Sequence, residues 1–174
     1  MIKLAAAENS RVRIAVREDE DALMNMVREM HPEAALKTAD GAPLPLDESL
    51  ARSHLHRAIV PNRNSDDLPA WIGLAAEDGQ ILGSVYLSLE TLWYSSKPVL
   101  LENWLFVARD SRRSNIAASL IDFGKKSADA ARATLIVGHM SSGREAAKGR
   151  FYRRHVGPQI GGYYAYHGAT TGAL

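Results

Sequence analysis

Cysteine is absent from the chain, which excludes disulfide staples, thiolate metal sites and any thiol nucleophile, and fits a protein working in a reducing compartment. The cytoplasm is the expected location. Long apolar runs are missing too: nothing approaches the roughly 20 residues that a membrane helix needs. The stretch Met1–Ser10 offers one Lys3 and only Leu4–Ala7 as an apolar segment before Glu8, which is short for a secretion signal. The six histidines show no metal-ligand spacing, so no metal is expected. Repeats and low-complexity segments are lacking as well, and net charge is only +1. The expectation is a soluble, metal-free globular protein without a membrane partner.

What is present fits one domain. The 174 residues, 46% apolar and 24% charged, suffice for a hydrophobic core, and we expect a single domain over 1–174 with its core at about 11–167. The charge is unevenly placed. From Arg109 to Arg154 there are 11 Lys and Arg against 4 Asp and Glu, a net of +7, and the remainder has 10 against 16, a net of −6. Two explanations stay open at this point: an anionic ligand held by the basic part, or a solvated helical face.

Arg11–Arg17 alternates β-branched and charged residues, as a half-buried strand does. Acids at Glu18–Asp21 then suit a helix N-terminus, with Leu23, Val27 and Met30 at helical spacing and His31-Pro32 closing the helix. Asp47 can cap a second helix carrying Leu50, Leu55, Ala58 and Ile59 on one side, ended by Pro61. Trp71–Ala76, a turn at Glu77–Gln80, and Ile81–Leu89 read as a hairpin. A loop with exposed aromatics is expected over Trp93–Pro98, then a strand over Val99–Val107. Ile116–Ala133 is the longest helical pattern, with Leu120, Ile121, Gly124, Ala128 and Ala131 on one face. A short buried strand at Thr134–His139, a basic helix at Arg144–His155 and a last strand at Tyr163–Tyr166 complete the order. That order argues a mixed α/β sheet with helices on both faces.

The most informative stretch is Leu105–Ala117, L-F-V-A-R-D-S-R-R-S-N-I-A, where a strand gives way to a basic loop and a long helix. Such a junction turns free backbone N–H groups and the positive end of a helix dipole towards an anion. An ordinary strand-to-helix connection with surface arginines is the alternative. The stretch resembles the core motif of the Gcn5-related N-acetyltransferases (GNAT): Gln or Arg, two residues, Gly, one residue, then Gly or Ala. Arg112 and Ala117 match, and Val107 has the spacing of the apolar residue ahead of the motif. The glycine position holds Asn115, expected to keep the turn because Asn tolerates left-handed backbone best after Gly. Phe151-Tyr152 resembles the family's aromatic-tyrosine pair, and the element order matches from about Val12 to Tyr166.

The resemblance implies an α+β fold: a mostly antiparallel mixed sheet with two splayed central strands between which the pantetheine arm of acetyl-CoA inserts. Backbone groups of Leu105, Phe106 and Val107 would hold that arm, while Arg112, Arg113, Ser114, Asn115, Ile116 and Ala117 would hold the pyrophosphate, with Lys148 adding charge. It implies an N-acetyltransferase whose amine acceptor attacks the thioester directly, with Tyr152 as candidate acid and a strand N–H polarising the carbonyl. Glu102 is the candidate base, with His139 as another position for it; His54 and His56 lie on a helix that borders the acceptor site in the family. Small amines, peptide N-termini and lysines all stay open as acceptors, their choice resting on Gly41–Asp67 and Trp93–Pro98. The family commonly forms homodimers, so one is expected here. Two other readings compete: an acyl-CoA-binding protein without catalysis, and a nucleic-acid module using Arg112, Arg113, Arg144, Arg150, Arg153 and Arg154 with Phe151 and Tyr152 as stacking rings. Helical spacing spreads those arginines around the helix, which argues against the nucleic-acid reading.

Overall fold

A computed structural model describes residues 12–38, 40–60, 69–138 and 145–161. Its five strands lie in the order of the chain: β1 (Val12–Ile14), β2 (Ala70–Glu77), β3 (Gln80–Leu92), β4 (Ser95–Val107) and β5 (Thr134–Ile136). The first four pair antiparallel, and β5 joins β4 in parallel. Four helices accompany them: α1 (Glu20–Ala34), α2 (Glu48–Ile59), α3 (Ile116–Ala131) and α4 (Glu145–His155). Among the described residues no helix is long and apolar enough to cross a membrane.

The sheet is buried on both faces, as its central strands require. On one face Trp71, Ala75, Val85, Leu87 and Leu100 pack with Ile116, Leu120 and Ala128 of α3. On the other, Ile72, Leu74 and Tyr86 pack with Leu23, Met24 and Val27 of α1 and with Leu55 and Ala58 of α2. Alternation along β2 divides its side chains between the two cores. The mixed sheet with helices on both faces is therefore the one expected.

Element boundaries depart from expectation where tertiary contacts outweigh local signals. The strand expected over Arg11–Arg17 pairs only at Val12–Ile14, because Asp19 draws the chain into a turn: its carboxylate accepts from Val16 N–H at 2.8 Å and ion-pairs with Arg13 at 2.6 Å. Helix α1 runs past Pro32 instead of closing there. Ala35 N–H still reaches His31 O at 2.9 Å, and the extra turn carries Glu33 to two arginines described below.

The loop expected at Trp93–Pro98 is a two-residue turn at Trp93 and Tyr94, which are 95% and 68% exposed. Ser95–Pro98 belongs to β4, since Pro98 lies before the β5 ladder starts at Val99 and leaves no missing N–H in it. Helix α3 stops at Ala131 instead of Ala133, Arg132 taking a left-handed φ of 52°. Arg11, Pro61, His139, Arg144 and the strand expected at Tyr163–Tyr166 lie outside the described residues.

Candidate active site

Strand β4 builds the site. Among the described residues parallel pairing with β5 is confined to Val99–Leu101 against Thr134–Ile136, which leaves an opening along Glu102–Val107 on that side of β4. On its other side β4 stays paired with β3, except that Tyr86 faces Trp104 while Leu87 faces Glu102. Asn103 is thus the extra residue of a β-bulge at the mouth of the opening.

Ladder geometry decides which backbone groups of β4 face that opening. Ala108 N–H donates to Leu82 O at 2.9 Å. Hydrogen-bonded and non-bonded pairs alternate along an antiparallel ladder, so Phe106, opposite Ser84, and Trp104, opposite Tyr86, spend their backbone groups on β3. Leu105 and Val107 turn theirs away from β3. The Val107 carbonyl is taken by Arg112 Nε at 3.0 Å; the remaining outward groups can bond to an extended ligand. Phe106 instead contributes its ring, over which the Arg112 guanidinium lies at 5.4 Å.

Beyond β4 the chain makes a 3-10 turn at Arg109–Ser111 and enters α3. The first intrahelical bond runs from Ser119 N–H to Asn115 O at 3.0 Å, leaving the N–H groups of Ile116, Ala117 and Ala118 ahead of it. Ser114 Oγ reaches that of Ile116 at 3.3 Å. Arg113, Ser114 and Asn115 are exposed beside these donors. Asn115 has φ −83° and ψ 8°, so the left-handed conformation expected of it is not adopted and nothing at this point demands glycine. The requirement has moved to Gly83, opposite Val107, where a Cβ would lie 2.9 Å from Phe106 O and 3.0 Å from Ile116 Cγ2. Gly83→Val should cost about 1–3 kcal/mol by overpacking, measured by urea denaturation. Undiminished stability would mean that the junction of β4 and α3 yields freely.

Arg112 is placed differently from a simple phosphate ligand. Its guanidinium pairs with Glu33 at 2.7 Å, and Arg109 pairs with the same carboxylate at 2.6 Å. Burial works to raise the pKa of Glu33, but the hydrogen bonds from Arg112 and Arg109 outweigh it and hold the carboxylate below its ordinary range. This clamp ties the last turn of α1 to the loop ahead of α3. No local pattern around Glu33 announces it.

At the mouth of the opening the structure brings Glu102 and Tyr152 together. Glu102 Oε2 accepts from Gly138 N–H, just beyond β5, at 3.2 Å, and the Tyr152 hydroxyl of α4 stands close enough to the same carboxylate for each to shift the other's pKa. Both residues are half-buried. Burial pushes the Glu102 carboxyl up from 4.5 to about 7, against the opposing pull of the Gly138 N–H, the Lys148 charge and the Tyr152 hydroxyl. Burial, followed by the Glu102 charge and hydrogen bond, drives the Tyr152 phenol up. Lys148 is lowered, chiefly by burial.

His54 lines a cavity of about 410 Å³ between α1, α2 and the bulge of β4, while His56 is occupied by Glu20, its Nδ1 lying 3.1 Å from Oε2. The sequence did not signal the cavity, the Gly138 donor or the Glu102–Tyr152 contact. Each joins residues far apart in the chain.

No protein-family model matches the chain, and no curated protein matches it by sequence. Solved structures do. AAC(6')-Iy, in complex with the bisubstrate analog CoA-S-monomethyl-acetylneamine, superposes with a TM-score of 0.64 at 14% identity, covering 89% of this chain and 95% of that one. The ribosomal-protein-alanine N-acetyltransferase from Brucella melitensis biovar Abortus 2308 gives 0.60 at 19% identity, covering 89% and 93%. The aminoglycoside 6'-N-acetyltransferase AAC(6')-IG from Acinetobacter haemolyticus gives 0.59 at 16%, covering 89% and 94%. The fold is therefore that of the Gcn5-related acetyltransferases.

Proposed function

We propose that this chain, acting as one domain, is an N-acetyltransferase that takes its acetyl group from acetyl-CoA and passes it to a primary amine. The observation that carries the reading is the opening along Glu102–Val107, which has outward backbone groups on its wall, helix N–H groups at one end and the Glu102–Tyr152 pair at the other. Its parts fit the cosubstrate. Leu105 and Val107 can hold an extended arm as an added strand would be held. Arg113–Ala117 offer donors and the positive end of α3 to a pyrophosphate, and Gly83 gives the room for that junction. Arg112 holds the loop through Glu33 and Val107 O. Acetyl-CoA would supply the acyl group and a thiolate leaving group.

The chain's own residues would handle the protons. With its carboxyl at about 7, Glu102 is substantially ionised near neutral pH and takes a proton from the acceptor ammonium, freeing the nitrogen lone pair. As the C–N bond forms and the C–S bond breaks, the Tyr152 hydroxyl gives its proton to the departing sulfur and is refilled from the neighbouring Glu102. The second proton shed by the amide nitrogen goes to solvent. One proton thus ends on the thiol and one in water.

CoA and acetyl-CoA should each stabilise the fold, by about 2.7 kcal/mol at 100 times the dissociation constant. Thermal melts at millimolar CoA check this, beside an amine screen for released thiol. No shift with CoA would end the reading. Arg109 and Arg112 are spent on Glu33, which leaves the nucleic-acid reading less of its basic surface. A carrier without catalysis would bind CoA yet release no thiol with any amine.

A further inference from the structure

The cavity between α1, α2 and β4 has a chemical character of its own. Leu36, Leu44 and Leu50, which are 45%, 45% and 56% exposed, all line it. Large apolar side chains left in water singly need no explanation, but three converging on one concavity mark a binding surface. The inner wall is Trp104 packed on Tyr86, with ring centroids 4.8 Å apart. Trp104 Nε1 donates to Ser84 Oγ at 2.9 Å, so the indole's one polar atom is already bonded and what remains is apolar ring.

Several polar groups of the lining are also committed. Asp47 is its one carboxylate among the described residues, and Oδ1 accepts from Leu50 N–H at 2.9 Å to cap α2. His31 Nε2 donates to Leu44 O at 2.7 Å, and His54 Nδ1 accepts from Arg57 at 3.0 Å. A polycation seated here would lose water and meet a single carboxylate, that of Asp47, one of whose oxygens is already bonded, which is costly. The cavity meets β4 at Asn103 and Trp104, the residues directly after Glu102. A group held in it therefore reaches the stretch of β4 that follows Glu102, although neither Glu102 nor Tyr152 lines the cavity itself.

We propose that this cavity is the acceptor pocket and that it selects a primary amine bearing one aromatic or branched aliphatic group, rejecting polycationic amines. The inference rests on the acetyltransferase reading for its role in turnover, but the pocket's preference can be measured without it. The probes are 2-phenylethylamine, leucinamide, spermidine and neamine, titrated against the full chain by ligand-observed NMR and assayed with acetyl-CoA by thiol release. The variant is Leu50→Asp, at an exposed position in the first turn of α2 where an added acid suits the helix.

The two apolar amines should bind and be preferred in kcat/KM. Leu50→Asp should weaken them about tenfold or more, the range that apolar pocket contacts command. Preference for spermidine or neamine, absence of binding by both apolar amines, or indifference of their binding to Leu50→Asp would overturn the proposal. A chain that binds acetyl-CoA but prefers polycations would refute the pocket and keep the transferase. A chain that binds 2-phenylethylamine in a Leu50-dependent way but never CoA would uphold the pocket and refute the transferase.

Discussion

Tyr152→Phe should lower kcat about 100-fold while leaving acetyl-CoA affinity nearly unchanged. On the proposed mechanism the hydroxyl acts when charge gathers on sulfur and not on the uncharged thioester before it, so its loss should be felt only in the transition state and lower kcat and kcat/KM together. General acids contribute about 100-fold to 10,000-fold, and the lower end applies because a thiolate leaves readily. A second effect follows from the contact with Glu102. The Tyr152 hydrogen bond holds the Glu102 carboxyl lower than burial alone would. Without the hydroxyl, the acidic limb of the kcat/KM profile, expected near 7 in the native chain, should move to higher pH. Steady-state kinetics across pH with a CoA titration reads both effects. Full kcat would remove Tyr152 from the chemistry, and a kcat loss with an unmoved acidic limb would separate it from Glu102.

Much of the architecture could be read from the chain because its signals are local. Hydrophobic spacing over Ile116–Ala133 gave α3, the turn residues Asp78 and Gly79 gave the β2–β3 hairpin, and Asp47 gave the cap of α2. Boundaries slipped where a distant partner decides them. Pro32 reads as a stop, yet α1 continues to Ala34 and Glu33 meets Arg109 and Arg112 across the fold. The site shows the same division. The strand, loop and helix of Leu105–Ala117 are one continuous segment, and pattern alone located them. The requirement for small size at Gly83 belongs to the junction but is encoded on β3, where sequence spacing gives no hint of it. Glu102 and Tyr152 were each singled out for separate reasons, as a lone acid on a strand and as half of an aromatic pair. Their meeting depends on where α4 lies against β4, a three-dimensional fact.

Glu102→Gln should be the more informative substitution, because activity and stability are expected to move in opposite directions. Gln cannot take a proton from the ammonium, so kcat/KM near neutral pH should fall about 100-fold to 10,000-fold and its acidic limb should vanish. The stability effect follows from the pKa. A carboxyl raised from 4.5 to about 7 binds its proton more tightly in the folded chain than in the unfolded one. Below about pH 4.5 the group is neutral in both states and costs nothing. As pH rises from 4.5 to 7 the unfolded chain ionises it first, so stability is lost across that window, and above 7 the loss is complete. At 1.36 kcal/mol per unit the full effect is about 3 kcal/mol, which residual solvent contact at this half-buried site reduces to about 2 kcal/mol. Gln is neutral at every pH and keeps an oxygen for Gly138 N–H or the Tyr152 hydroxyl. The variant should therefore match the native chain at pH 4.5 and exceed it by about 2 kcal/mol at pH 8, as read by urea denaturation at both. Equal stability at pH 8 would mean that the folded chain carries this carboxylate without strain, and the argument for Glu102 as a base poised near neutrality would fall with it.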